Sequence, residues 1–270
     1  RRAQYDAIRD YEATHPGVKF IVTSARLSAN KQAADIEDLI TMGCDLILVC
    51  PHQSQALTPS VRRIDEAGIP IMSFDRRVAP VVEDLIISHI GPDFTVQGRM
   101  AGEAVVDILD GEGNILVIEG VPGSDSTIRR MEGFRSGIEG SNINILGQQV
   151  GNYQREEAIR VAENMLQAHD DVDLIYAEND EMGLGVLSVV QRMGRDILIG
   201  STDGQKQAIK AIIDTDLYAF TVTLPLMFPE TADVAYDYLQ GKDVPEEVPL
   251  PSKTITDENA EENYDPNSLF

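Results

Sequence analysis

Charged and amide side chains recur directly after the apolar runs of this chain. Asp75 and Arg76 follow "IPIMSF", and Asn179 lies just beyond "DLIYA". Asp203 lies just beyond "DILIGS", and Arg130 comes soon after the glycine-containing turn "GVPGSDS". Carboxylates accept hydrogen bonds from hydroxyl groups, while guanidinium and amide groups donate them. This mixed set of side chains is suited to a neutral ligand that carries several hydroxyl groups.

Simpler interpretations exist for the same residues. Asn179 and Asp203 would be helix N-caps, since both residue types accept hydrogen bonds from the first N–H groups of a helix. The charged pair after "IPIMSF" would be a surface ion pair of little energetic value. Arg130 would be a solvated helix residue, and Tyr153 would be an aromatic residue at a rim. The joint pattern favours a binding site, in which the Tyr153 ring packs on the ligand. We expect Arg77, the next residue after the charged pair, to be solvated.

The elements that position these residues are alternating strands and helices. Strands are predicted over residues 18–23, 45–50, 69–74, 84–90, 114–120, 143–150, 173–177, 196–201 and 218–224. These runs are rich in Ile, Leu and Val and mostly lack strict alternation, as is typical of parallel strands covered on both faces. Amphipathic segments lie between them, such as "NKQAADIEDLITMG", which ends at Gly43. The pattern predicts an α/β fold with doubly wound parallel sheets.

The number of predicted strands favours two lobes. One sheet holding all of them would be large, so two sheets in separate lobes are the better interpretation. Proline-containing segments within "HIGPDF", "TLPLMFPE" and "VPLPSK" predict three crossings of the chain between the lobes. We assign residues 1–91 and 225–249 to the first lobe, and residues 92–224 and 250–270 to the second. The acidic segment 256–270 is expected to be a loosely packed tail.

Composition and motifs argue against several classes of function. The net charge of -23 argues against nucleic acid as a partner, because binding to phosphates requires clustered basic residues. The apolar runs are strand-sized, which argues against insertion into a membrane. "GSTDG" imitates a nucleophile elbow with Thr202 at its centre, but no histidine stands out as its partner. The four histidines lack metal-ligand spacing. We therefore expect no enzyme, no catalytic residue, no metal and no cofactor.

The two cysteines of the chain, Cys44 and Cys50, stand at the ends of "CDLILVC". Six extended residues span about 20 Å, whereas a disulfide requires Cα atoms within about 7 Å of each other. We therefore expect two half-buried thiols that do not pair.

The motifs together resemble the type I periplasmic sugar-binding proteins of ABC importers, in particular the ribose- and galactofuranose-binding group. The resemblance covers essentially the whole chain. The segments that carry it are "IPIMSFDRR", "SHIGPDFTVQGRMAGE", "GSDSTIRRMEGF", "NYQR", "AENDEMGLG" and "IGSTDG". It implies the periplasmic binding protein type I fold, in which two doubly wound lobes are joined by a three-segment hinge.

The resemblance also implies which residues contact the ligand. They are Arg1, Asp75 and Arg76 in the first lobe, and Arg130, Tyr153, Asn179, Asp203 and Thr223 in the second. Arg1 falls where galactofuranose-type proteins use an arginine at the start of a helix. Thr223 stands where the family often has Gln or Glu, and its shorter side chain leaves room for a different substituent. The family begins with a strand before this helix, so we expect the first lobe to lack its first strand.

The function implied by the resemblance is capture of a monosaccharide outside the cytoplasm, in the periplasm or extracellular space. The sugar would be galactofuranose, ribose or a related pentose or hexose, held between the lobes as they close. The loaded protein, expected to be a monomer, would deliver it to the permease of an ABC importer. The alternative is the sugar-sensing core of a lactose-repressor-type regulator, which shares the fold but requires a DNA-binding head. The acidity and the galactofuranose-type motifs favour transport.

Overall fold

The structure is a computed structural model that describes residues 2–228, 230–268 and 270, with side chains from residue 7 onward. The helices in this part of the chain are α1 Arg2–Thr14, α2 Ala29–Met42, α3 Ser54–Glu66, α4 Phe94–Ile108, α5 Asp125–Gly137, α6 Arg155–Ala168, α7 Asp180–Met193, α8 Lys206–Asp214, α9 Glu230–Leu239 and α10 Ala260–Asn263. The strands are β1 Ile47–Val49, β2 Ile71–Phe74, β3 His89–Gly91, β4 Glu112–Glu119, β5 Asn142–Val150, β6 Leu174–Ala177, β7 Leu198–Asp203, β8 Tyr218–Thr223, β9 Glu247–Pro249 and β10 Thr254–Thr256.

The chain divides into two compact units. The first unit comprises Arg1–Pro92, Gly123–Asp125 and Pro225–Leu250. The second unit comprises Asp93–Pro122, Ser126–Leu224 and Pro251–Phe270. Apart from the short excursion around residue 124, the chain passes from one unit to the other directly before or after a proline.

The first unit contains a parallel sheet with the strand order β1-β2-β3-β9 among the described residues. Ile47 pairs with Ile71, and Ser73 pairs with His89. The buried side chains of α2 and α3, such as Ile36 and Leu57, pack with those of β1 and β2 in one apolar cluster. Because parallel strands are covered by helices, nearly continuous apolar runs are what this sheet requires.

The second unit contains a sheet with the order β10-β8-β7-β6-β4-β5 in the described part of the chain. β10 runs antiparallel to β8, and the other neighbours are parallel. Alternate residues of β4 enter different clusters: Ile115 and Val117 pack in one, and Leu116 and Ile118 in the other. Because successive side chains of a strand point to opposite faces, this sheet is buried on both faces. The predicted α/β fold with parallel sheets is confirmed.

Helix ends follow the predicted local signals. Ser28 precedes α2, and its hydroxyl accepts a hydrogen bond from the N–H of Lys31. Gly43 ends the same helix with φ 70°, a left-handed conformation that glycine adopts without steric strain. α2 therefore ends where its sequence pattern predicts, and it begins one residue before the predicted segment.

The prediction of a strand over residues 18–23 is wrong. The segment has no strand assignment, and Ile21 and Val22 are each 45% exposed. Phe20 instead packs edge-on against Tyr11 and Phe228. Apolar β-forming residues create a strand only beside another strand, whose backbone groups they can pair with. No described strand pairs with this segment.

The predicted strand over residues 84–90 is only partly correct. A 3₁₀ helix, Pro80–Leu85, begins at Pro80 and occupies the start of the predicted run. The strand β3 starts later, at His89, where β2 and β9 provide neighbours on both sides. Strand pairing, not local composition, therefore fixes where this strand begins.

The prediction of a loosely packed acidic tail is also wrong. Ala260 of α10 is 1% exposed and packs in the core of the second unit, and Tyr264 packs beside it. The Nζ of Lys206 donates to the carbonyl oxygen of Pro266 at 3.1 Å. Two apolar residues are enough to anchor this segment, although its composition is acidic.

None of the helices described is long and apolar enough to cross a membrane. Among the described residues, no group of three or more His, Cys, Asp or Glu side chains is arranged to hold a metal ion. Cys44 and Cys50 are both free thiols.

Candidate functional site

Arg130 lies at the centre of a buried polar cluster in the second unit. It is carried by α5, and only 3% of it is exposed. Its Nη1 donates to the backbone carbonyl of Glu178 at 2.7 Å, and its Nε donates to Oε1 of Gln97 at 3.2 Å. Its guanidinium carbon lies 5.1 Å from the centre of the Phe94 ring, within range of a cation–π contact. The surroundings therefore fix the plane of the guanidinium.

The charge of Arg130 is balanced by Asp203 at the end of β7. Arg130 Nη2 lies 3.4 Å from Oδ1 of Asp203, and the two side chains are 3% and 11% exposed. Burial alone lowers the pKa of Arg130, but Tyr153 and Asp203 beside it raise that pKa above its usual value overall. The guanidinium is therefore charged at every relevant pH, and the pair carries no net charge.

Tyr153 joins the same cluster through its hydroxyl group. The hydroxyl lies 2.9 Å from Ser126 Oγ and 2.8 Å from Thr127 Oγ1, and it donates to Oε2 of Glu178 at 3.4 Å. The ring lies against Gly120, where an added Cβ would come within 2.0 Å of a ring carbon. Glycine at position 120 thus makes room for the Tyr153 ring.

Glu178 is a fully buried carboxyl group in this cluster. Its Oε2 also accepts the backbone N–H of Gly120 at 2.6 Å. Burial raises the pKa of Glu178 to about 8, although this N–H and the charge of Arg130 act in the opposite direction. Glu178 is therefore mostly neutral at pH 7, and Arg130 and Asp203 remain the charged members of the cluster.

Glu178 is expected to make the stability of the protein depend on pH. The pKa of Glu178 rises from 4.5 to about 8 on folding. At a pH between these two values, Glu178 is therefore protonated in the folded state and ionised in the unfolded state. The free energy of unfolding should therefore fall between these two pH values, by on the order of a few kcal/mol. Glu178→Gln should remove the contribution of Glu178 to this decrease in the free energy of unfolding. Chemical denaturation at a series of pH values between 4.5 and about 8 measures the effect.

The comparison between variants isolates the contribution of Glu178. Burial, and next the charge of Asp203, also raise the pKa of Asp180, so the wild-type curve contains more than one contribution. Glu132→Gln, on the exposed side of α5, is the matched control and should leave the curve unchanged. If the Glu178→Gln curve ran parallel to that of the wild type, Glu178 would not be the titrating group.

Asn179 and Asp203 differ in how they use their side chains. Asn179 caps α7, because its Oδ1 accepts the N–H of Met182 at 3.0 Å. Asp203 caps no helix, since Gln205 holds that position before α8. The simpler interpretation of Asp203 as a cap is therefore wrong, whereas Asn179 does act as one. The amide nitrogen of Asn179 is the part of its side chain that a ligand would contact.

Asp180 holds the turn that follows Asp203. Its carboxyl group accepts from the backbone N–H of Gln205 at 2.5 Å, from Thr221 Oγ1 at 2.7 Å and from the hydroxyl of Ser201. These bonds tie the start of α7 to β7 and β8. Asp180 thus holds residues on both sides of Asp203, through the Ser201 hydroxyl and the Gln205 backbone N–H.

Thr223 ends β8 and is held by the backbone of residue 253. Its Oγ1 accepts the N–H of Lys253 at 2.9 Å, and its own N–H donates to the Lys253 carbonyl at 2.8 Å. The carbonyl oxygen of Thr223 accepts from Nε2 of Gln97 at 2.9 Å. Gln97 thereby connects Thr223 to Arg130, which it also contacts.

In the first unit, Asp75 and Arg76 follow β2 as predicted. The backbone N–H of Asp75 donates to the Ile90 carbonyl at 3.0 Å, and its Oδ2 accepts from the thiol of Cys50 at 3.4 Å. Burial, and next the Asp75 charge, raise the pKa of Cys50 to about 12, so this thiol stays protonated. Nη1 of Arg76 lies 3.5 Å from the Pro51 carbonyl oxygen. Both side chains are half-buried.

Arg77 is ion-paired and only partly solvated, which differs from the prediction of a solvated residue. Its two terminal nitrogens contact the two carboxylate oxygens of Glu247 at 2.8 and 2.6 Å, and Nη1 also reaches Glu83 at 3.2 Å. These contacts, and chiefly the one with Glu247, raise the pKa of Arg77. Glu247 begins β9, the edge strand of the first sheet. Arg77 therefore connects the segment after β2 to this edge strand. Arg1, also predicted to contact ligand, lies outside the described residues.

Three of the predicted ligand residues have unusual backbone angles. Asp75 has φ 61°, Tyr153 has φ 59° and Asp203 has φ 135°. Positive φ values are costly for residues other than glycine, and they concentrate at functional sites where the surrounding structure enforces them. Asn152, next to Tyr153, has φ 54° as well. The strain supports a functional role for these strand ends.

The structure therefore brings four predicted residues of the second unit into one network, and Asn179 is the chain neighbour of Glu178 in that network. Arg130 contacts Asp203 directly, while Glu178 links Arg130 to Tyr153 and adjoins Asn179, and Gln97 links Arg130 to Thr223. Glu178 and Gln97 were not among the predicted site residues. Glu178 follows a strand in the same way as Asn179 does. Gln97 is a polar residue on the otherwise apolar stripe of α4, and this is the one sequence feature that could have indicated a role in the site.

The chemistry of this network favours a neutral, hydroxyl-bearing ligand. Arg130 has five N–H groups, and the three protein acceptors named above use three of them. Asp203 can accept from hydroxyl groups, and the charges of the two residues cancel. An anion or a cation would disturb this balance, whereas a neutral polyol would not.

Comparison with known proteins identifies the family. A family model described as a periplasmic binding protein domain matches residues 1–243. The ribose import binding protein RbsB of Bacillus subtilis (strain 168) is 34% identical over 247 residues, covering 91% of this chain and 79% of the relative. The galactofuranose-binding protein YtfQ of Escherichia coli (strain K12) is 25% identical over 263 residues, covering 94% of this chain and 83% of the relative.

A solved structure agrees with these sequence relatives. A Mycobacterium smegmatis protein in complex with β-D-fucofuranose is 31% identical and superposes with a TM-score of 0.91, covering 97% of this chain and 88% of the other. The family model, the relatives and the structure all span most of the sequence. The chain belongs to the periplasmic binding protein family.

Proposed function

We propose that the protein is an extracytoplasmic solute-binding protein that captures a monosaccharide and delivers it to an ABC importer. The observation that carries the proposal is the buried, charge-balanced Arg130–Asp203 pair, beside a Glu178 that is mostly neutral at pH 7. The names of the ribose- and galactofuranose-binding relatives support a sugar as the ligand. The protein acts in the periplasm or at the outer cell surface, as a monomer.

The second unit supplies most of the proposed sugar contacts. The remaining N–H groups of Arg130 and the amide nitrogen of Asn179 donate to sugar hydroxyl groups. Asp203 accepts from them, and the Tyr153 ring packs on an apolar face of the sugar. The Thr223 hydroxyl, which already accepts the N–H of Lys253, retains its hydrogen to donate.

The first unit adds contacts of the same kind. We propose that the Asp75 carboxylate accepts from a hydroxyl group and that the Arg76 guanidinium donates to one. Arg1 is proposed as a further donor. The lobe boundaries proposed are the predicted ones, residues 1–91 with 225–249 and residues 92–224 with 250–270.

A thermal-shift experiment with a panel of sugars tests the proposal. The panel is D-ribose, D-galactose, L-arabinose, D-fructose, D-allose and myo-inositol. A ligand that binds only the folded state raises the unfolding temperature in proportion to the logarithm of its concentration over its dissociation constant. At least one panel sugar is expected to raise the unfolding temperature by several degrees, and calorimetry then gives its affinity.

The matched ligand pair is D-ribose and D-ribose 5-phosphate. Because the cluster is charge-balanced, the added phosphate is expected to bring no gain in the unfolding temperature. Absence of a shift with every panel sugar at millimolar concentration would overturn the proposal. A larger shift with the phosphorylated sugar would mean that the site is built for an anion instead.

A further inference from the structure

Gln97 is a fully buried polar residue in the first turns of α4. It lies on the same buried stripe as Phe94, Ala101 and Val105, which are apolar. A buried amide costs free energy unless its hydrogen bonds are satisfied. The hydrogen bonds of the Gln97 amide therefore have to offset the free-energy cost of burying it.

The hydrogen bonds of the Gln97 amide lead to Arg130 and to segments that connect the two units. Its Oε1 accepts from Arg130 Nε at 3.2 Å. Its Nε2 donates to the Thr223 carbonyl at 2.9 Å and to Ser252 Oγ at 2.9 Å. Both amide hydrogens and one lone pair are thus in use. A flipped amide would turn its oxygen toward the Thr223 carbonyl and its nitrogen toward a donor, so the contacts fix its orientation.

Gln97 and two of its hydrogen-bond partners lie close to the points where the chain passes between the two units. Gln97 itself follows the passage between units at Pro92 and Asp93, and its backbone N–H donates to the Asp93 carbonyl at 3.0 Å. Thr223 comes just before the passage after Leu224, and Ser252 comes just after the passage that follows Leu250. The Gln97 side chain therefore joins Arg130 to two of the connecting segments, and the Gln97 backbone is bonded to the third.

We propose that Gln97 is a positioning residue for sugar binding, whose amide orients the Arg130 guanidinium and ties it to the segments that connect the two units. The inference rests on the proposed function, because it requires Arg130 to contact the sugar. A guanidinium that is already held in its binding orientation loses less freedom when a ligand arrives, so the sugar binds more tightly. Arg130 has Gln97 as its partner at Nε, which leaves the terminal nitrogens to face other groups.

A double-mutant cycle with Gln97→Met and Arg130→Lys tests the proposal. Methionine preserves the length and volume of Gln97 but forms none of its hydrogen bonds, and lysine retains the positive charge but lacks the Nε–H. The probe is the panel sugar with the largest thermal shift, and affinity is measured by calorimetry. Gln97→Met should weaken binding about tenfold in the wild type but less than about twofold in the Arg130→Lys background.

The control variant is Gln191→Met, the same change at an exposed position of α7, which should leave affinity unchanged. Unfolding of the sugar-free proteins is measured in parallel.

Equal weakening of sugar binding in both backgrounds, or a lower unfolding temperature with unchanged affinity, would show that Gln97 only supports the fold and would overturn the proposal. If Arg130→Lys leaves affinity unchanged, Arg130 is not a sugar contact. If no panel sugar binds the wild type, the proposed function fails, and the role of Gln97 fails with it.

Discussion

Arg130→Ala is expected to weaken binding of the best panel sugar about a hundredfold or more. Each hydrogen bond to a charged group contributes roughly 1.5–3 kcal/mol, and each 1.4 kcal/mol corresponds to about a tenfold change in affinity. Arg130 has up to two N–H groups to offer beyond those that its protein acceptors use. Calorimetric titration of wild type and variant with the same sugar measures the difference.

The same substitution is expected to reduce stability. Alanine removes the Arg130 cation from beside the Asp203 carboxylate, and breaking a buried pair of this kind costs about 3–5 kcal/mol. Binding must therefore be measured well below the unfolding temperature of the variant, with circular dichroism to verify that it is folded. Arg135→Ala is the matched control, because Arg135 is an exposed arginine on the same helix. Wild-type affinity in a folded Arg130→Ala variant would remove Arg130 from the site.

Gly98→Ala is expected to destabilise the second unit by about 3 kcal/mol or more. A Cβ at position 98 would lie 1.9 Å from the backbone oxygen of Arg130, which is far closer than real atoms approach. Gly133 makes the reciprocal contact, since its Cβ would lie 1.9 Å from the Thr95 carbonyl oxygen. Both neighbours are backbone, so α4 and α5 would have to separate. Alanine normally stabilises a helix relative to glycine by about 1 kcal/mol, so the expected loss is opposite to the ordinary trend.

Because Gly98 contacts the backbone of Arg130, the substitution should also lower sugar affinity. Chemical denaturation measures the stability, and calorimetry measures the affinity. Ser136→Ala is the control, since Ser136 is exposed on α5 and its replacement introduces no new atom near α4. A stability equal to or above that of the wild type would mean that the two helices can move apart freely at this contact.

The fold class follows from local sequence patterns, because those patterns record burial. Strands such as β4 and β6 are apolar at every buried position, since a parallel sheet covered on both faces has no polar side. The end of α2 at Gly43 follows from the backbone conformation that ends a helix. Residues 18–23 have the same local character but no strand, because a strand also requires a neighbour.

The sequence by itself determined the α/β architecture and pointed to the segments that follow strands, which carry Asp75 in the first unit and Arg130, Asn179 and Asp203 in the second. It could do so because parallel strands end at one edge of a sheet, which places residues after different strands near one another. Only the tertiary structure decided which groups meet. Gln97 contacts side chains and backbone at positions 130, 223 and 252, and no local pattern encodes contacts across such separations. The protonation of Glu178 and the pairing of Arg77 with Glu247 were decided in the same way, because burial and distant partners set them.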